Sequence, residues 1–431
     1  MKTDYRHSTL EDALSKIKSG DRVSIGHACG EPQALVKGFV SRLAQLRDVK
    51  TVHMIGQGES AYCCPEMVPY VRHNSLFVGP KERKAIYEGR ADYTPRYFSE
   101  IPKLFHDGSL PLDVALIQVT PPDRHGYVSL GVSVDYTLAA AQQAKLVIAQ
   151  VNSFMPRTHG NSFLHVSDID YLVECNEPLI QLPKDGLTNE GKMIGDFCSE
   201  LIPNGATLQL GIGSLPDAVL LSLAEKKDLG IHSEMISDGV VDLVRQGVIN
   251  NKKKTLHKDR MVVSFVMGSD KLYDFLDDNP AIYMAPVDYV NNPSVIAQND
   301  NMISINSCVQ VDLTGQVCSE SIGPMQISSV GGQVDFVRGS RMASMGKSIL
   351  VFQSTAKNGE LSKIVPFLDQ GAAVTTNRNE VDHIVTEYGV ASLQGKTLRE
   401  RAVSLIEIAH PKFRGMLREE WERRFHAKYL T

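Results

Sequence analysis

A single glutamate stands near the end of a short apolar stretch, Ile231–Ile236, where a charged side chain is unexpected. The stretch is followed by Asp238-Gly239, a pair typical of turns, so the pattern predicts a strand that runs out into a loop. A carboxylate at the exit of a buried strand costs free energy unless its charge is used or compensated. Glu234 is therefore either a functional carboxylate or a rim carboxylate that is solvated or caps the next helix, and the local sequence favours the second interpretation.

Two glycine-rich segments could present backbone amides to an anion. The segment Gly211-Ile212-Gly213-Ser214-Leu215-Pro216 follows an apolar strand and precedes a helix predicted over Asp217–Lys226, which is the context of helix N-terminal anion sites. It lacks the third glycine of the dinucleotide fingerprint, so a purely structural turn is an equal alternative. Gly331-Gly332 could expose an amide to an oxyanion, or could form only a tight turn.

Other candidate residues carry weaker signals. Tyr289–Pro293 has the composition of a loop, in which Asn291 either forms a turn or aims a donor at a ligand. The basic run Asn251–Lys254 is most often a solvated face, although it could also meet a phosphorylated ligand. His53 and His232 lie in strand contexts without a second metal ligand at helical spacing, so we expect satisfied histidines and no metal site.

The totals describe an ordinary globular chain. It has 431 residues, 42% hydrophobic and 22% charged, with a net charge of −5, which gives no general attraction to nucleic acid or to an anionic membrane surface. No apolar run is long enough to span a bilayer, and the N-terminus has no signal-peptide core. Seven scattered cysteines without a CxxC motif indicate a reduced, cytoplasmic protein rather than a disulfide framework.

An internal repeat divides the chain. Gly20–Leu46 is predicted as strand, glycine loop and helix, and Gly205–Lys226 repeats that order with glycine and proline at matching offsets. Further on, Val134-Asp135-Tyr136 and Val334-Asp335-Phe336 each precede a helix and then a strand. The repeat predicts two similar open α/β domains related by duplication, over residues 1–185 and 186–431.

The repeat also singles out the glutamate. Val49–Ile55 in the first half occupies the place of Leu229–Met235 in the second, and only the second copy carries a glutamate. A residue present in one of two equivalent frameworks is a candidate for function rather than for folding. We expect the active site to lie in a cleft between the two domains, with part of the wall supplied by the first half, around Gln57-Gly58-Glu59.

The end of the chain is predicted as one more strand and a helical cap. Ala372–Thr375 has the composition of a strand, and Thr397–Ile408 and Pro411–Tyr429 carry apolar residues at helical spacing. Trp421 is more plausible as an anchor for this cap than as a ligand contact.

With these residues together, the chain resembles the family I CoA-transferases, in the acetyl-CoA hydrolase/transferase branch. The resemblance covers about Leu10 to Phe425 and is carried by four motifs. These motifs are Gly211–Val219, His232–Val241, Ser328–Phe336 and Val385–Gly389.

The resemblance implies ping-pong transfer of CoA between short-chain carboxylic acids, such as 4-hydroxybutyrate or butyrate with acetate. Glu234 matches the nucleophilic glutamate of the family, which forms a glutamyl-CoA thioester, while the Gly332 amide and the Asn291 side chain match the oxyanion donors. The remaining residues implied to contact CoA are Gly211, Ile212, Gly213, Ser214, Leu215, Cys308, Gly331 and Lys357. The resemblance also implies no resident cofactor, since CoA is a substrate, and a homodimer or larger homo-oligomer.

Two rival functions remain open on the sequence. The same site could act as an acyl-CoA hydrolase if water intercepts the enzyme thioester. A nonenzymatic CoA-binding protein is the third possibility, against which the intact Glu234 argues. Nothing in the residues chooses the acyl group.

Overall fold

The computed structural model describes residues 7–182, 186–211 and 213–429. In chain order its strands are β1 Arg22–Ile25, β2 Val49–Met54, β3 Val71–Phe77, β4 Ala91–Tyr93, β5 Val114–Val119, β6 Tyr127–Ser129, β7 Leu146–Val151, β8 His159–Gly160, β9 Phe163–His165, β10 Tyr171–Glu174, β11 Thr207–Leu210, β12 Gly230–Ile236, β13 Met261–Val266, β14 Ile282–Met284, β15 Met302–Ser307, β16 Gln310–Asp312, β17 Val317–Cys318, β18 Ser321–Ile322, β19 Met325–Gln326, β20 Lys347–Val351, β21 Thr355–Ala356, β22 Leu361–Ser362, β23 Ile364–Val365, β24 His383–Thr386 and β25 Gly389–Ser392.

The α-helices are α1 Leu10–Ser15, α2 Gln33–Arg42, α3 Arg83–Tyr87, α4 Ile101–His106, α5 Thr137–Gln143, α6 Asn189–Leu201, α7 Ser214–Leu221, α8 Asp238–Arg245, α9 Asp270–Leu276, α10 Val287–Val290, α11 Pro293–Ile296, α12 Gln333–Met342, α13 Leu398–Glu407 and α14 Pro411–Phe425. Short 3₁₀ turns occur at Ala28–Gly30, Leu43–Gln45, Ala61–Cys63, Pro65–Met67, Phe98–Glu100 and Val166–Asp168.

The chain forms two compact units. The first is Met1–Pro183 with Arg260–Asn291, and the second is Lys184–Asp259 with Asn292–Thr431. The first break lies beside the boundary that the sequence predicts at residue 185. The segment Arg260–Asn291 groups with the first unit rather than the second, since its strand β14 pairs with β8 and Phe265 bridges to Ser133.

The first unit is built on a fully parallel seven-stranded sheet in the order β4-β3-β2-β1-β5-β7-β10. Its central strands are covered on both faces, which is why β5 is buried along its whole length and has a continuous apolar sequence. The core below α1 and α2 contains Leu14, Leu35 and Phe39, none of them more than 1% exposed.

The second unit carries a sheet in the order β12-β11-β15-β20-β24-β25, parallel except for the last pair. From the central strand β11 the chain goes to β12 on one side and later to β15 on the other. This is the same pattern as in the first unit, where β1 is followed by β2 on one side and by β5 on the other. The predicted α/β duplication is therefore confirmed by the topology of the two sheets.

The C-terminal cap is confirmed. Helix α13 begins with a capping box between Thr397 and Glu400, and α14 begins with Pro411, which suits a first helical turn. Trp421 is 5% exposed in the apolar cluster under these helices, and its indole N–H donates to the Arg399 carbonyl at 3.1 Å. The tryptophan thus anchors the cap, as predicted.

Four predicted elements were wrong. Tyr289–Pro293 is not one loop, because α10 ends at Val290 and α11 begins at Pro293, with Asn291 and Asn292 between them. Ala372–Thr375 is not a strand, since the only ladder contact nearby is an isolated bridge between Thr376 and Val317. Helix α7 begins at Ser214 instead of Asp217, because a proline is tolerated in the first helical turn, where its missing N–H is not needed. Asp238 opens helix α8 instead of a turn, since Ser237 occupies the N-cap and an aspartate is favourable in the first turn.

No helix among the described residues is both long and apolar enough to cross a membrane. All seven cysteines are described, and none of them forms a disulfide.

Candidate active site

The central strand β11 of the second unit marks the point where the strand order reverses. In open parallel sheets a crevice forms there, beyond the carboxyl ends of the strands. Because parallel crossovers are right-handed, the helix that follows β11 and the helix that precedes β20 lie on opposite faces of the sheet. The N-termini of α7 and α12 therefore both border this carboxyl edge. The two glycine segments predicted from the sequence lead into these two helices.

Glu234 lies on β12, two residues before the strand ends. All seven residues of β12 are described, and Glu234 alone is half-buried while the other six are buried. Between the pairs Leu208–Ile231 and Leu210–Met235, β11 advances by two residues while β12 advances by four. This β-bulge contains Glu234, and bulges commonly redirect a side chain beside a functional site.

The segment Gly211–Leu215 joins β11 to α7. Gly213 is the N-cap of α7 with φ 111° and ψ 177°, a backbone conformation available to glycine and almost no other residue. Ser214 and Leu215 are the first two residues of the helix rather than loop residues, so their N–H groups have no acceptor within the helix. Ile212 lies outside the described residues. The described part of the segment has the form of a helix N-terminal anion site.

A reciprocal amide pair lies under this segment. The side chains of Gln209 on β11 and Asn306 on β15 donate to each other at 3.0 and 2.9 Å, and both are buried. Gly211 sits directly above, since a Cβ at that glycine would lie 3.4 Å from the Asn306 oxygen. The pair joins β11 to β15 at the point where the strand order reverses. It was not predicted from the sequence.

The second glycine segment is the entry to α12. Gly331 has φ 53°, and Gly332 is the N-cap of the helix. Both glycines are buried, and the Gly332 carbonyl accepts from the Phe336 N–H at 3.0 Å. The segment is thus a tight turn, and the helix dipole also places partial positive charge at Gly332. A structural turn and an amide that meets an oxyanion are therefore compatible interpretations of this segment.

Cys308 and Lys357 differ in their surroundings. Cys308 follows β15 and packs into the apolar cluster, where burial raises the pKa of its thiol to about 12. Its side chain is therefore a neutral packing group. Lys357 is exposed in the turn of the β21–β22 hairpin, with φ 48°.

A buried glutamate holds the base of that hairpin. Glu387 follows β24 and is 6% exposed, and its carboxylate accepts from the N–H of Ser354 at 2.8 Å and from the Ser354 hydroxyl. Ser354 in turn lies between β20 and β21. The residue belongs to the Val385–Gly389 motif, but no role was predicted for it.

Asn291 belongs to the first unit. It ends α10, its N–H donates to the Val287 carbonyl at 2.9 Å, and its side chain is fully buried. The neighbouring Asn292 caps α11 by accepting from the Ser294 N–H at 2.9 Å. Asn291 is thus the C-cap of α10, and Asn292 is the N-cap of α11.

The carboxyl edge of the first unit holds a cavity of about 390 Å³, lined among others by Glu31, Gln57, Gly58, Glu59 and Lys81. Burial raises the pKa of the Glu31 carboxyl, whose oxygen accepts from the Gly58 N–H at 2.8 Å. The Lys81 ammonium donates to the Gln57 carbonyl at 3.0 Å. The segment that the sequence singled out in the first half therefore lines a cavity.

The two strand histidines are core residues. The ring nitrogens of His53 bond the Tyr62 hydroxyl at 2.7 Å and the Gly26 carbonyl at 2.9 Å, and burial lowers its pKa to about 4. His232 is also fully buried. Within the described part of the chain, no three His, Cys, Asp or Glu side chains are grouped as metal ligands would be.

Comparison with known proteins adds a family. Residues 1–182 match the acetyl-CoA hydrolase/transferase N-terminal domain, and residues 268–421 match the acetyl-CoA hydrolase/transferase C-terminal domain. The chain is 60% identical over 417 residues to 4-hydroxybutyrate coenzyme A transferase of Clostridium kluyveri, with 97% of each chain covered. Its structure matches RipA from Yersinia pestis with a TM-score of 0.93, at 39% identity over 98% of each chain. It matches 4-hydroxybutyrate CoA-transferase from Porphyromonas gingivalis with a TM-score of 0.85, at 43% identity over 97% of this chain and 98% of that one.

Proposed function

The chain belongs to the acetyl-CoA hydrolase/transferase family and is a CoA-transferase, and we propose that it moves CoA between short-chain carboxylic acids through a covalent intermediate on Glu234. The observation that carries this proposal is the position of Glu234. It is the half-buried residue of an otherwise buried strand, in a bulge at the carboxyl edge of the sheet.

The proposed reaction needs two carbonyl steps in each direction. The Glu234 carboxylate attacks the thioester carbonyl of an acyl-CoA, CoA leaves as its thiolate, and an acyl-glutamyl anhydride remains. The thiolate then attacks the glutamyl carbonyl, which releases the free acid and leaves a glutamyl-CoA thioester. An acceptor carboxylate reverses these two steps and leaves as the new acyl-CoA. Covalent catalysis of this kind keeps the free energy of the thioester on the enzyme.

Each tetrahedral intermediate needs a donor for its oxyanion. We assign the substrate oxyanion to the Gly332 amide and the Asn291 side chain. The position of Gly332 at the N-terminus of the ten-residue helix α12 supports this, because the helix dipole favours negative charge there.

We assign the CoA site to Gly211–Leu215, Gly331, Cys308 and Lys357. The amides at the start of α7 suit an anionic group, and the exposed Lys357 ammonium suits a phosphate. The buried thiol of Cys308 limits that residue to a contact through its backbone.

The acid pocket is proposed at the cavity of the first unit. Its wall carries the segment 57–59, which is flanked by two non-glycine residues with left-handed backbone, Ile55 at φ 48° and Ser60 at φ 49°. Such strain is costly, most of all for a β-branched residue, and often marks a functional site. We propose 4-hydroxybutyrate or butyrate, with acetate as the exchanging acid.

An acyl-CoA hydrolase on the same site is the second candidate, because the family description includes hydrolases. In that case water would attack the glutamyl thioester in place of the acceptor acid. CoA release measured with and without acetate separates the two. Full-rate release in the absence of acetate would contradict the transferase.

The proposal is tested by trapping the intermediate. The enzyme is incubated with an acyl-CoA and treated with borohydride, which reduces a glutamyl thioester to the alcohol. We expect peptide mass spectrometry to find the alcohol at Glu234, and we expect loss of transfer in Glu234→Gln but not in Glu225→Gln, an exposed glutamate of the same unit. Transfer at the wild-type rate in Glu234→Gln would remove its covalent role.

Compartment and assembly are part of the proposal. Seven free cysteines support a reducing compartment, for which we propose the cytoplasm. The homodimer or larger homo-oligomer rests on the family resemblance, and light scattering of the purified protein measures it. We propose CoA as a substrate and no resident cofactor.

A further inference from the structure

The hydroxyl of Ser233 bridges the strand ends on either side of the bulge. Ser233 precedes Glu234 on β12 and is fully buried. Its Oγ accepts from the Leu210 N–H at 3.2 Å and donates to the Met235 carbonyl at 2.7 Å. In a regular parallel ladder these two backbone groups would bond to backbone groups of the neighbouring strand. Here the Ser233 hydroxyl bonds to them instead, at the bulge where β12 contains extra residues.

The duplicated half carries other residues at this position. Strand β1 pairs with β2 in regular register, with Arg22 opposite Lys50, as Thr207 is opposite Gly230 in the second unit. Counting along both strands from these pairs, His53 occupies the place of Ser233 and Met54 the place of Glu234. The first copy thus has neither the serine nor the glutamate. Its β1–β2 ladder ends at the pair Ser24–Val52, and the register shift at His53 and Met54 lies against β3, whereas the shift at Glu234 lies against the central strand β11.

We infer that Ser233 is a positioning residue that holds the bulge and thereby aims the Glu234 carboxylate. The inference rests on the proposed function, since it assumes that Glu234 reacts. The hydroxyl joins the last residue before the Gly211 segment to the residue after Glu234. It therefore ties the nucleophile to the strand from which the proposed CoA-binding amides extend. A misplacement of about 1 Å can cost about 100-fold in rate, so a single hydroxyl is sufficient for a large effect.

Ser233→Ala tests the inference, and Ser304→Ala is its matched control. Ser304 is a fully buried serine on β15 of the same sheet, and its hydroxyl has no hydrogen-bond partner among the described residues. We expect Ser233→Ala to slow formation of the borohydride-trapped thioester about 10- to 100-fold at saturating acyl-CoA, with KM for acyl-CoA within about threefold. Ser304→Ala should stay within about twofold in both quantities.

A second measurement reports on the bulge itself. Without the hydroxyl, the Leu210 amide loses its acceptor, so hydrogen exchange in a peptide that covers residues 207–211 should become faster in Ser233→Ala and remain unchanged in Ser304→Ala. A merely structural role would lower the melting temperature and leave the single-turnover rate of the folded enzyme at its wild-type value. That outcome, or an equal loss of rate in Ser304→Ala, would overturn the inference.

Two safeguards keep the test decisive. If the alanine variant does not fold, Ser233→Cys takes its place, because a thiol is only a weak donor and acceptor. We expect thioester formation in that variant to fall at least about fivefold, and a wild-type rate would contradict the positioning role. If the wild-type enzyme itself yields no reduced Glu234, the proposed nucleophile is wrong, which is a failure distinct from that of Ser233.

Discussion

The carboxylate of Glu387 holds Ser354 by two hydrogen bonds, one from the backbone N–H at 2.8 Å and one from the hydroxyl. Glu387 follows β24, and Ser354 lies between β20 and the hairpin that carries Lys357. A buried charge satisfied in this way fixes the start of a surface hairpin to the sheet. If Lys357 contacts CoA, this pair sets the position from which it does so.

Glu387→Gln should weaken acyl-CoA binding. An amide keeps one acceptor but turns an NH₂ group toward a Ser354 donor, and hydrogen bonds to a charged group contribute about 1.5–3 kcal/mol. We expect KM for acyl-CoA to rise about tenfold, with a smaller change in kcat. Glu360→Gln, an exposed glutamate beside the same turn, is the control and should have no effect on KM. An unchanged KM in Glu387→Gln would show that the hairpin does not depend on this anchor for binding.

Gly213→Ala should also raise KM for acyl-CoA, through the conformation of the backbone. An added Cβ would meet no atom within 4 Å, so a clash is not involved, but φ 111° with ψ 177° is a conformation that alanine does not hold. We expect the start of α7 to shift and KM to rise about tenfold or more, as read from initial rates.

The matched glycine for that experiment is Gly247, which follows α8 with φ 77° and also has open space around its Cα. Gly247→Ala should lose stability without a change in KM. Equal effects of the two substitutions on KM would mean that the response is general destabilisation.

The buried amide pair predicts a non-additive double variant. Gln209→Met leaves Asn306 without its partner, and Asn306→Leu does the converse, so each should lower the free energy of unfolding by about 1–3 kcal/mol. The double variant removes both polar groups together and should be less destabilised than the two single changes added. Urea unfolding of the four proteins measures the cycle, and additive losses would argue against a coupled pair.

Lys254 predicts a pH dependence of stability. It is 4% exposed, its ammonium donates to the Ile231 carbonyl at 2.6 Å, and burial lowers its pKa from 10.5 to about 7. Between these two values the unfolded chain binds the proton and the folded protein does not, so the contribution of Lys254 to stability rises with pH. Below about pH 7 both states are protonated, and the cost of burying the charge is complete.

The measurement is urea unfolding at several pH values between 7 and 10. The free energy of unfolding of wild type minus that of Lys254→Met should rise by up to about 1.4 kcal/mol per pH unit in this window. The exposed neighbour is tested as Lys253→Met, for which the difference should be flat. A flat difference for Lys254→Met would show that the buried lysine keeps its ordinary pKa.

Much of the fold follows from the sequence because parallel strands carry local signals. Gly20–Leu46 was predicted as strand, glycine loop and helix, and the structure has β1 Arg22–Ile25 and α2 Gln33–Arg42 there, since an apolar run between glycine or aspartate turns is sufficient to define a buried strand. The predicted strand at Ala372–Thr375 failed because a short run needs a neighbouring strand to pair with, and sequence patterns do not show neighbours.

The candidate site was predicted only in part. The repeat isolated Glu234, and the glycine segments were visible as sequence patterns. Gln209, Asn306, Ser233 and Ser354 gave no signal, because their roles depend on partners in other strands or on a bulge. The family resemblance implied that Cys308 contacts CoA, whereas the tertiary structure buries its side chain in the core.

The sequence by itself determined the duplicated α/β framework and the glutamate that Leu229–Met235 carries and Val49–Ile55 does not, since both are properties of residue order. Only the tertiary structure decided how that carboxylate is presented. The register between β11 and β12 brings the Ser233 hydroxyl to Leu210, and register is a relationship between segments more than twenty residues apart that neither segment specifies alone.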